Sequence, residues 1–537
     1  FRMVDPAPAA AHAPAAPAAA DVFAQALAAY RAGRFGDAEG LCRQILLVDP
    51  AHFETCHVLA LAQAGLNRHE QALESFDRAL RLRSNEAAVL NDRGASFLAL
   101  DRPEEALQSY DRAIAVYPRF AAAFSNRGSV LERLERYDAA LANYNRALAL
   151  QPDFVDALYN RGNVLKALGR YDDSLASYDR ALSLRPAHAD ALNNRGQVLK
   201  ELLRYDEALK SYDAALAVAP DHVMAHCNAA AVRLATGDFE RGWAHYEWRW
   251  KKDTVAAAAR HFPQPQWRGD VPIAGKTILV VSEQGAGDAI QFCRYVPMLI
   301  AAGADVVFEV LPHLQTLMAD FVPAARVVAK GSPLPPFDLQ CPLLSLPLAF
   351  HTRVDTIPAA PAYLHARAET VTAWQARLDA KKRPRIGLMW SGNPNHERNK
   401  ERSMALRTLL PLIDVDATFV SLQMEVGDDD AAVLQEHGEI VHFGRELGDF
   451  AKTAGLVADL DLVITVDTSA AHLAAALGRP TWILLSFVAD WRWLLGREDS
   501  PWYPTARVFW QQEAGDWDGV IARVRAALGD FVAGRER

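Results

Sequence analysis

The sequence predicts an all-helical repeat array followed by an α/β region built from two doubly wound halves that face a cleft. Three observations predict it. Residue types recur with a period of 34 through the first half of the chain. From about residue 275 short apolar, β-branched runs alternate with helical stretches. All twelve tryptophans lie from Trp243 onward, so the two halves were assembled to different rules.

The bulk numbers set the frame. At 537 residues one core is not enough, and about two to four domains are expected. With 51% apolar and 23% charged residues, the composition is globular. A formal net charge of −9 leaves no basic footprint, so no nucleic-acid partner is expected. Cys42, Cys56, Cys227, Cys293 and Cys341 are odd in number and scattered, which fits reduced thiols in a cytoplasm. No apolar stretch has membrane-spanning length, and the N-terminus offers no signal-peptide pattern. A cytoplasmic location without a membrane span is therefore expected. Residues 1–20 hold the tract "DPAPAAAHAPAAPAAA", expected to be disordered because it has little to bury.

Residues 21–250 carry the array. Gly94, Gly128, Gly162 and Gly196 fall in register, as do Tyr110, Tyr144, Tyr178 and Tyr212. Ala113, Ala147, Ala181 and Ala215 follow, and then Pro118, Pro152, Pro186 and Pro220. Small residues let two helices approach, the aromatic fills the gap, and proline ends the second helix. The pattern resembles the tetratricopeptide repeat, TPR, with units starting near 19, 53, 87, 121, 155, 189 and 223 and degenerate ends. Asn126, Asn160, Asn194 and Asn228 form a second register on the first helices, with Asp92 one period earlier. An amide both donates and accepts, so such a row suits the backbone of an extended peptide. The alternative is that these amides tie one repeat to the next. Arg93, Arg127, Arg161 and Arg195 run beside them, drawing an acidic partner, standing solvated, or serving within their own repeat.

Residues 251–274 read as a linker. Strands are expected at 277–282, 305–310, 385–390, 418–423, 462–466 and 481–485, separated mostly by helices, as in parallel βαβ units. A break near 375–385, ending in "AKKRPR", divides this region into halves at 275–380 and 381–537.

Each half offers a strand-end site. After strand 277–282, Gly285 and Gly287 permit a tight loop near a ligand, and Asp288 opens the next helix. The alternative reading of Asp288 is a helix cap. In "VITVDTSAAHLAAALGRP", residues 463–480, a buried strand meets a buried helix at Asp467, Thr468, Ser469 and His472. Thr468 or Ser469 can cap that helix, its first-turn N–H groups suit an anion, and His472 can donate to a phosphate or sugar oxygen. A capped core helix with one satisfied histidine is the rival. "NPNHERNKERSM", 393–404, adds Lys400, Arg402 and Ser403, either offsetting charge on a leaving group or forming a solvated loop. "DWRW" (490–493) and "SPWYP" (500–504) could stack a base or sugar ring, but read chiefly as aromatic packing between the domains. Asp414-Val-Asp416 reads as a turn, and no metal motif is found, so metal-independent chemistry is expected.

"GD" after the first strand, with "DTSAAHLAAALGRP" late in the chain, resembles the ADP-heptose:lipopolysaccharide heptosyltransferases. The resemblance implies a GT-B fold, Asp288 as catalytic base, and a donor diphosphate held at Asp467, Thr468, Ser469 and His472. Ser469 replaces the family's usual glycine, which narrows the approach to the phosphates and leaves the donor open. The asparagine row resembles that of the O-GlcNAc transferases. The overall layout is similar to TPR-containing flagellin glycosyltransferases, which use activated nonulosonic acids. Together these imply transfer of a sugar from a nucleotide-sugar co-substrate, with no other cofactor, to serine or threonine of a flagellin-like protein acceptor. Inversion at the anomeric carbon follows from the same resemblance. Two rivals stand: a non-catalytic TPR adaptor that keeps a nucleotide, and an enzyme directed at a glycan.

Overall fold

The computed structural model describes residues 17–252, 260–395 and 398–534. Residues 1–16 of the Pro/Ala tract and 253–259 of the expected linker lie outside them, and Pro17 already opens the first helix. The chain divides into two compact units, Phe1–Pro220 and Asp221–Arg537.

Among its described residues the first unit is twelve helices, from Pro17–Arg31 to Tyr205–Val218, arranged as six consecutive helix pairs. The 34-residue registers explain the packing. A Cβ on Gly94, Gly128, Gly162 or Gly196 would lie 2.7, 2.8, 2.5 or 2.5 Å from the tyrosine ring of its own repeat. Each glycine is thus the seat of a fully buried tyrosine. A proline directly follows each of the C-caps Tyr117, Gln151, Arg185 and Ala219, and keeps it out of the helical region. A further register was not visible in the sequence. The turn inside every pair holds one residue with positive φ, at Gly33, Asn67, Asp101, Glu135, Gly169 and Leu203. Only two of the six are glycine, so residue type did not disclose the geometry.

The arginine row works between repeats. Arg93 pairs with Asp77, Arg127 with Asp111 and Arg195 with Asp179, at 2.8, 2.7 and 2.6 Å. Each carboxylate sits on the second helix of the preceding repeat. Asn145 occupies the corresponding place before Arg161 and carries no charge.

The second unit opens with the helix pair Val223–Ala235 and Phe239–Tyr246, followed by a 3-10 turn at Glu247–Lys251. The pair continues the 34-residue period yet belongs to the α/β unit. One sheet is built from β1 Thr277–Val281, β2 Asp305–Val310, β3 Arg326–Ala329 and β4 Leu339–Pro342. Its order is β3-β2-β1-β4, and it is parallel throughout. The members of the other are β5 Arg385–Met389, β6 Thr418–Ser421, β7 Val441–His442, β8 Leu462–Val466, β9 Thr481–Leu485, β10 Asp499–Ser500 and β11 Tyr503–Trp510. Their order is β10-β11-β9-β8-β5-β6-β7. Only β10 runs antiparallel to its neighbour. This is a two-lobed, Rossmann-like arrangement. All six strands expected from the sequence are present, and β3, β4, β7, β10 and β11 are additional. The additional strands are short or contain proline, as at Pro342 and Pro504, which hides them from a pattern search. One apolar core runs through Ile278 and Phe308 of the first lobe, Val463 and Ile483 of the second, and Phe239 and Trp243 of the helix pair.

Candidate functional site

The loops at the carboxyl ends of β1, β5, β6 and β8 line a cleft of about 1000 Å³ between the lobes. Its first-lobe wall is the loop after β1, which turns at Gly285 into the helix Ala286–Phe292. Gly285 N donates to Asp288 Oδ2 at 3.0 Å, so Asp288 does cap its helix. Its other oxygen, Oδ1, is paired with Arg492 from the second lobe. Gly287 is required for contact between lobes, because a Cβ there would lie 2.8 Å from His472 Cδ2.

The second-lobe wall begins where β8 ends. The helix Ser469–Ala476 has Thr468 at its N-cap, but the Thr468 hydroxyl does not cap it. It turns instead to Thr465 Oγ1 at 3.1 Å and Met389 Sδ at 3.4 Å. Thr468, Ser469 and Ala470 line the cleft, and they carry the N–H groups that a first helical turn leaves unpaired. Burial pushes the Asp467 carboxyl up to about 6, and the charge of Asp490 adds to this, while Arg402 and Arg492 oppose it. Arg402 Nη1 donates to the Asp467 carbonyl at 3.0 Å. Gly392 makes room for that guanidinium, since a Cβ there would lie 2.6 Å from Arg402 Nη2.

His472 is 4% exposed. Burial, aided by the charge of Arg492, lowers its pKa to about 3, so the ring is neutral. Its Nδ1 meets the Tyr503 hydroxyl at 2.8 Å, and its ring stacks on Trp493 at 5.3 Å and 18°. The hydrogen-bonded histidine and the cleft-lining histidine of the two rival readings are one and the same.

The remaining expected residues divide. Ser403 accepts from Gly392 N at 3.2 Å and donates to Asn399 Oδ1 at 3.0 Å, bracing the loop outside the cleft wall. Lys400 is exposed and does not line the cleft. His396 and Glu397 of the same stretch lie outside the described residues. Asp414 and Asp416 are at the surface, paired with Arg525 and Lys382. Among the described residues no group of three or more His, Cys, Asp or Glu is placed to hold a metal ion, and no helix is long and apolar enough to cross a membrane.

In the repeats, Asn126 Nδ2 donates to Asn91 Oδ1 at 2.9 Å, and Asn160 Nδ2 to Ser129 Oγ at 3.4 Å. Asn194 Nδ2 donates to Asn163 Oδ1 at 2.9 Å and to the Tyr159 hydroxyl at 3.2 Å. Each bond reaches the preceding repeat, and all three residues remain half-buried. Asn228 lies in the helix pair of the second unit.

Sequence reasoning missed Arg492 and Asp490, which meet at 2.7 Å on the cleft floor. Their signal was an acid and a cation two residues apart after β9, masked by tryptophans that read as packing. Trp491 and Trp493 do pack, both being buried.

The fold is thus a helix-pair repeat region joined to a two-lobed α/β unit. Residues 23–87, 57–119 and 153–221 match families described as "Tetratricopeptide repeat", and 133–169 match one described as "TPR repeat". The N-terminal region is therefore a TPR region. The chain is similar to Protein FlbA of Caulobacter vibrioides, with 27% identity over 328 residues, 57% of this chain and 54% of that protein. It spans about half the length of this curated relative. Similar solved structures include YrrB, "a TPR protein with an unusual peptide-binding site", at 26% identity and TM-score 0.30, over 34% of this chain and 95% of that one. PilW, a "widely conserved type IV pilus biogenesis factor", matches at 25% and 0.36 over 38% and 96%. A thermophilic TPR protein of Thermus thermophilus matches at 25% and 0.30 over 34% and 98%.

Proposed function

We propose that the chain is a cytoplasmic, inverting, metal-independent glycosyltransferase with a GT-B cleft. It moves a sugar from a nucleotide-sugar donor to serine or threonine of a protein presented by the repeats. Flagellin is the candidate acceptor that the sequence resemblance supplies. One observation carries this reading: a single cleft gathers Asp288 from one lobe with Arg402, His472 and the Ser469 helix start from the other. In the proposed step the acceptor hydroxyl oxygen attacks the anomeric carbon while its proton passes to Asp288. The bond from that carbon to the phosphate oxygen breaks, and the electron pair leaves with the nucleotide, a diphosphate for ADP-, UDP- or GDP-linked donors and a monophosphate for CMP-linked ones. Arg402, the helix N–H groups and neutral His472 offset the charge that builds there.

A thermal-shift panel of ADP-, UDP-, GDP- and CMP-linked ligands tests the donor site. A ligand at a hundred times its Kd adds about 2.7 kcal/mol of stability, so one base class should raise Tm clearly. No shift with any of the four removes the reading. A second reading, a nucleotide-keeping adaptor, is favoured by one feature: both Asp288 oxygens already have partners. Mass spectrometry of acceptor protein after incubation with donor separates the two. The use of Asn126, Asn160 and Asn194 between repeats removes one objection to the glycan-directed alternative, which a panel of glycan acceptors tests.

A further inference from the structure

One side chain of the helix pair contacts both Gln284, just before the loop that carries Asp288, and Trp491, the neighbour of Arg492. The Tyr246 hydroxyl accepts from Gln284 Nε2 at 3.1 Å. Gln284 immediately precedes Gly285, whose N–H fixes Asp288 Oδ2. The Tyr246 ring also meets Trp491 edge-on, with centroids 5.8 Å apart at 64°. The Arg492 guanidinium lies over Trp491 at 4.4 Å, and Trp243 closes on the same indole at 5.3 Å and 86°.

Tyr246 is itself held. Arg249 lies over its ring at 4.6 Å and is bonded to Glu247 at 2.6 Å and to Glu283 at 3.0 Å. Glu283 accepts from Leu343 N at 3.0 Å and Leu344 N at 3.2 Å, anchoring the residue next to Gln284. Burial raises the phenol above its usual range, so the hydroxyl keeps its proton and stays neutral. A shift of this ring would release the β1 loop on one side and the Trp491 turn on the other.

We propose that Tyr246, carried by a helix pair that reads as a seventh repeat, is the positioning residue for the Asp288–Arg492 pair. Its part in turnover rests on the proposed function, but its effect on the geometry of the pair does not.

The test uses the full chain with Tyr246→Ala and Tyr246→Phe, read by hydrogen exchange and by transfer kinetics. Tyr246→Ala should speed exchange in segments 283–288 and 490–493 by about tenfold or more, with the strands unchanged. Tyr246→Phe keeps the ring and loses the hydroxyl, so only segment 283–288 should speed up. In transfer, Tyr246→Ala should lower kcat by about tenfold while the donor KM changes little, and the phenylalanine variant should recover most of kcat. Wild-type exchange in both segments of a folded Tyr246→Ala protein overturns the proposal. If the alanine variant does not fold, unchanged exchange of 283–288 in Tyr246→Phe overturns it equally. If wild type performs no transfer, the glycosyltransferase reading falls, and the exchange measurement still decides whether Tyr246 positions the pair.

Discussion

Gly287 and His472 touch across the two lobes, so closely that a Cβ on the glycine would lie 2.8 Å from the imidazole Cδ2. The imidazole cannot retreat, because Trp493 covers its face and Tyr503 holds Nδ1. Gly287→Ala should therefore push the lobes apart or displace His472. Overpacking of this kind costs about 1–3 kcal/mol. Urea denaturation should show that loss, and a thermal-shift titration should show weaker binding of whichever nucleotide sugar stabilises the wild type.

Asp288 separates chemistry from binding. On the proposed mechanism Asp288→Asn keeps a hydrogen-bonding group beside Arg492 but cannot take up a proton. Transfer should fall by at least about a hundredfold, within the usual reach of a general base. Donor binding, measured by calorimetry, should change little. Transfer at the wild-type rate would rule Asp288 out as the base.

Asp467 makes stability depend on pH. Its carboxyl is raised from 3.8 to about 6 by burial, so the fold favours the protonated form. A group raised in this way contributes its full stability below the unfolded value, near pH 4, and loses it as pH climbs through about 6. The difference of about two units corresponds to roughly 3 kcal/mol at most. Asp467→Asn should therefore be more stable than wild type at pH 7 and show no advantage at pH 4. Urea midpoints of both proteins between pH 4 and 8 check the sign. A constant difference across that range would show that Asp467 is not the titrating group.

Leu203 holds φ at +58°, in the position that Gly169 fills one repeat earlier. A left-handed residue with a Cβ costs about 1–2 kcal/mol relative to a relaxed one. Leu203→Gly should offset part of that cost and raise the denaturant midpoint. Gly169→Ala should lower it by a similar amount.

The asparagines give a graded expectation. Each Nδ2 bond to the preceding repeat is worth about 0.5–1.5 kcal/mol. Replacing Asn126, Asn160 and Asn194 together by alanine should thus lower repeat stability by a few kcal/mol, seen by circular dichroism on melting. If the amides also hold an acceptor peptide, transfer to protein should fall below what is left for donor hydrolysis at a temperature where the repeats stay folded. Equal retention of both activities would confine the asparagines to a structural role.

The sequence disclosed what repeats and what is long. The glycine–tyrosine registers and six apolar strands are periodic signals, and the structure contains them all. Asp288, Asp467, Thr468, Ser469 and His472 line one cleft because each lies within about two turns of a strand end, and strand ends can be located by pattern. Arg402 lines it as well, from the one-turn helix Asn399–Arg402, whose Lys400 and C-cap Ser403 do not, because one turn is too short for a period to show which side chain faces the cleft. Arg492 escaped notice because its partner Asp288 is distant in sequence, and only the closing of two lobes brings them together. The role of Tyr246 was hidden for the opposite reason: its helix has the spacing of a repeat and gives no sign that it belongs to the α/β unit.

The uncharged Asn145 has a consequence for how the array comes apart. A solenoid behaves as a chain of nearly equal links, each joined only to its neighbours, and loosening starts where one joint is slightly weaker. Three joints carry an arginine–aspartate pair, each partly exposed and worth about 0.2–1 kcal/mol. The joint between helix Tyr137–Leu150 and helix Val155–Ala167 has an amide in place of the acid. Arg43 and Leu59 leave the first joint without the pair too, but that joint is at the end of the array, so a pulling or melting experiment should find the interior seam at Asn145, with the repeats on either side parting as two blocks. Asn145→Asp should close the seam and let the array yield as one piece.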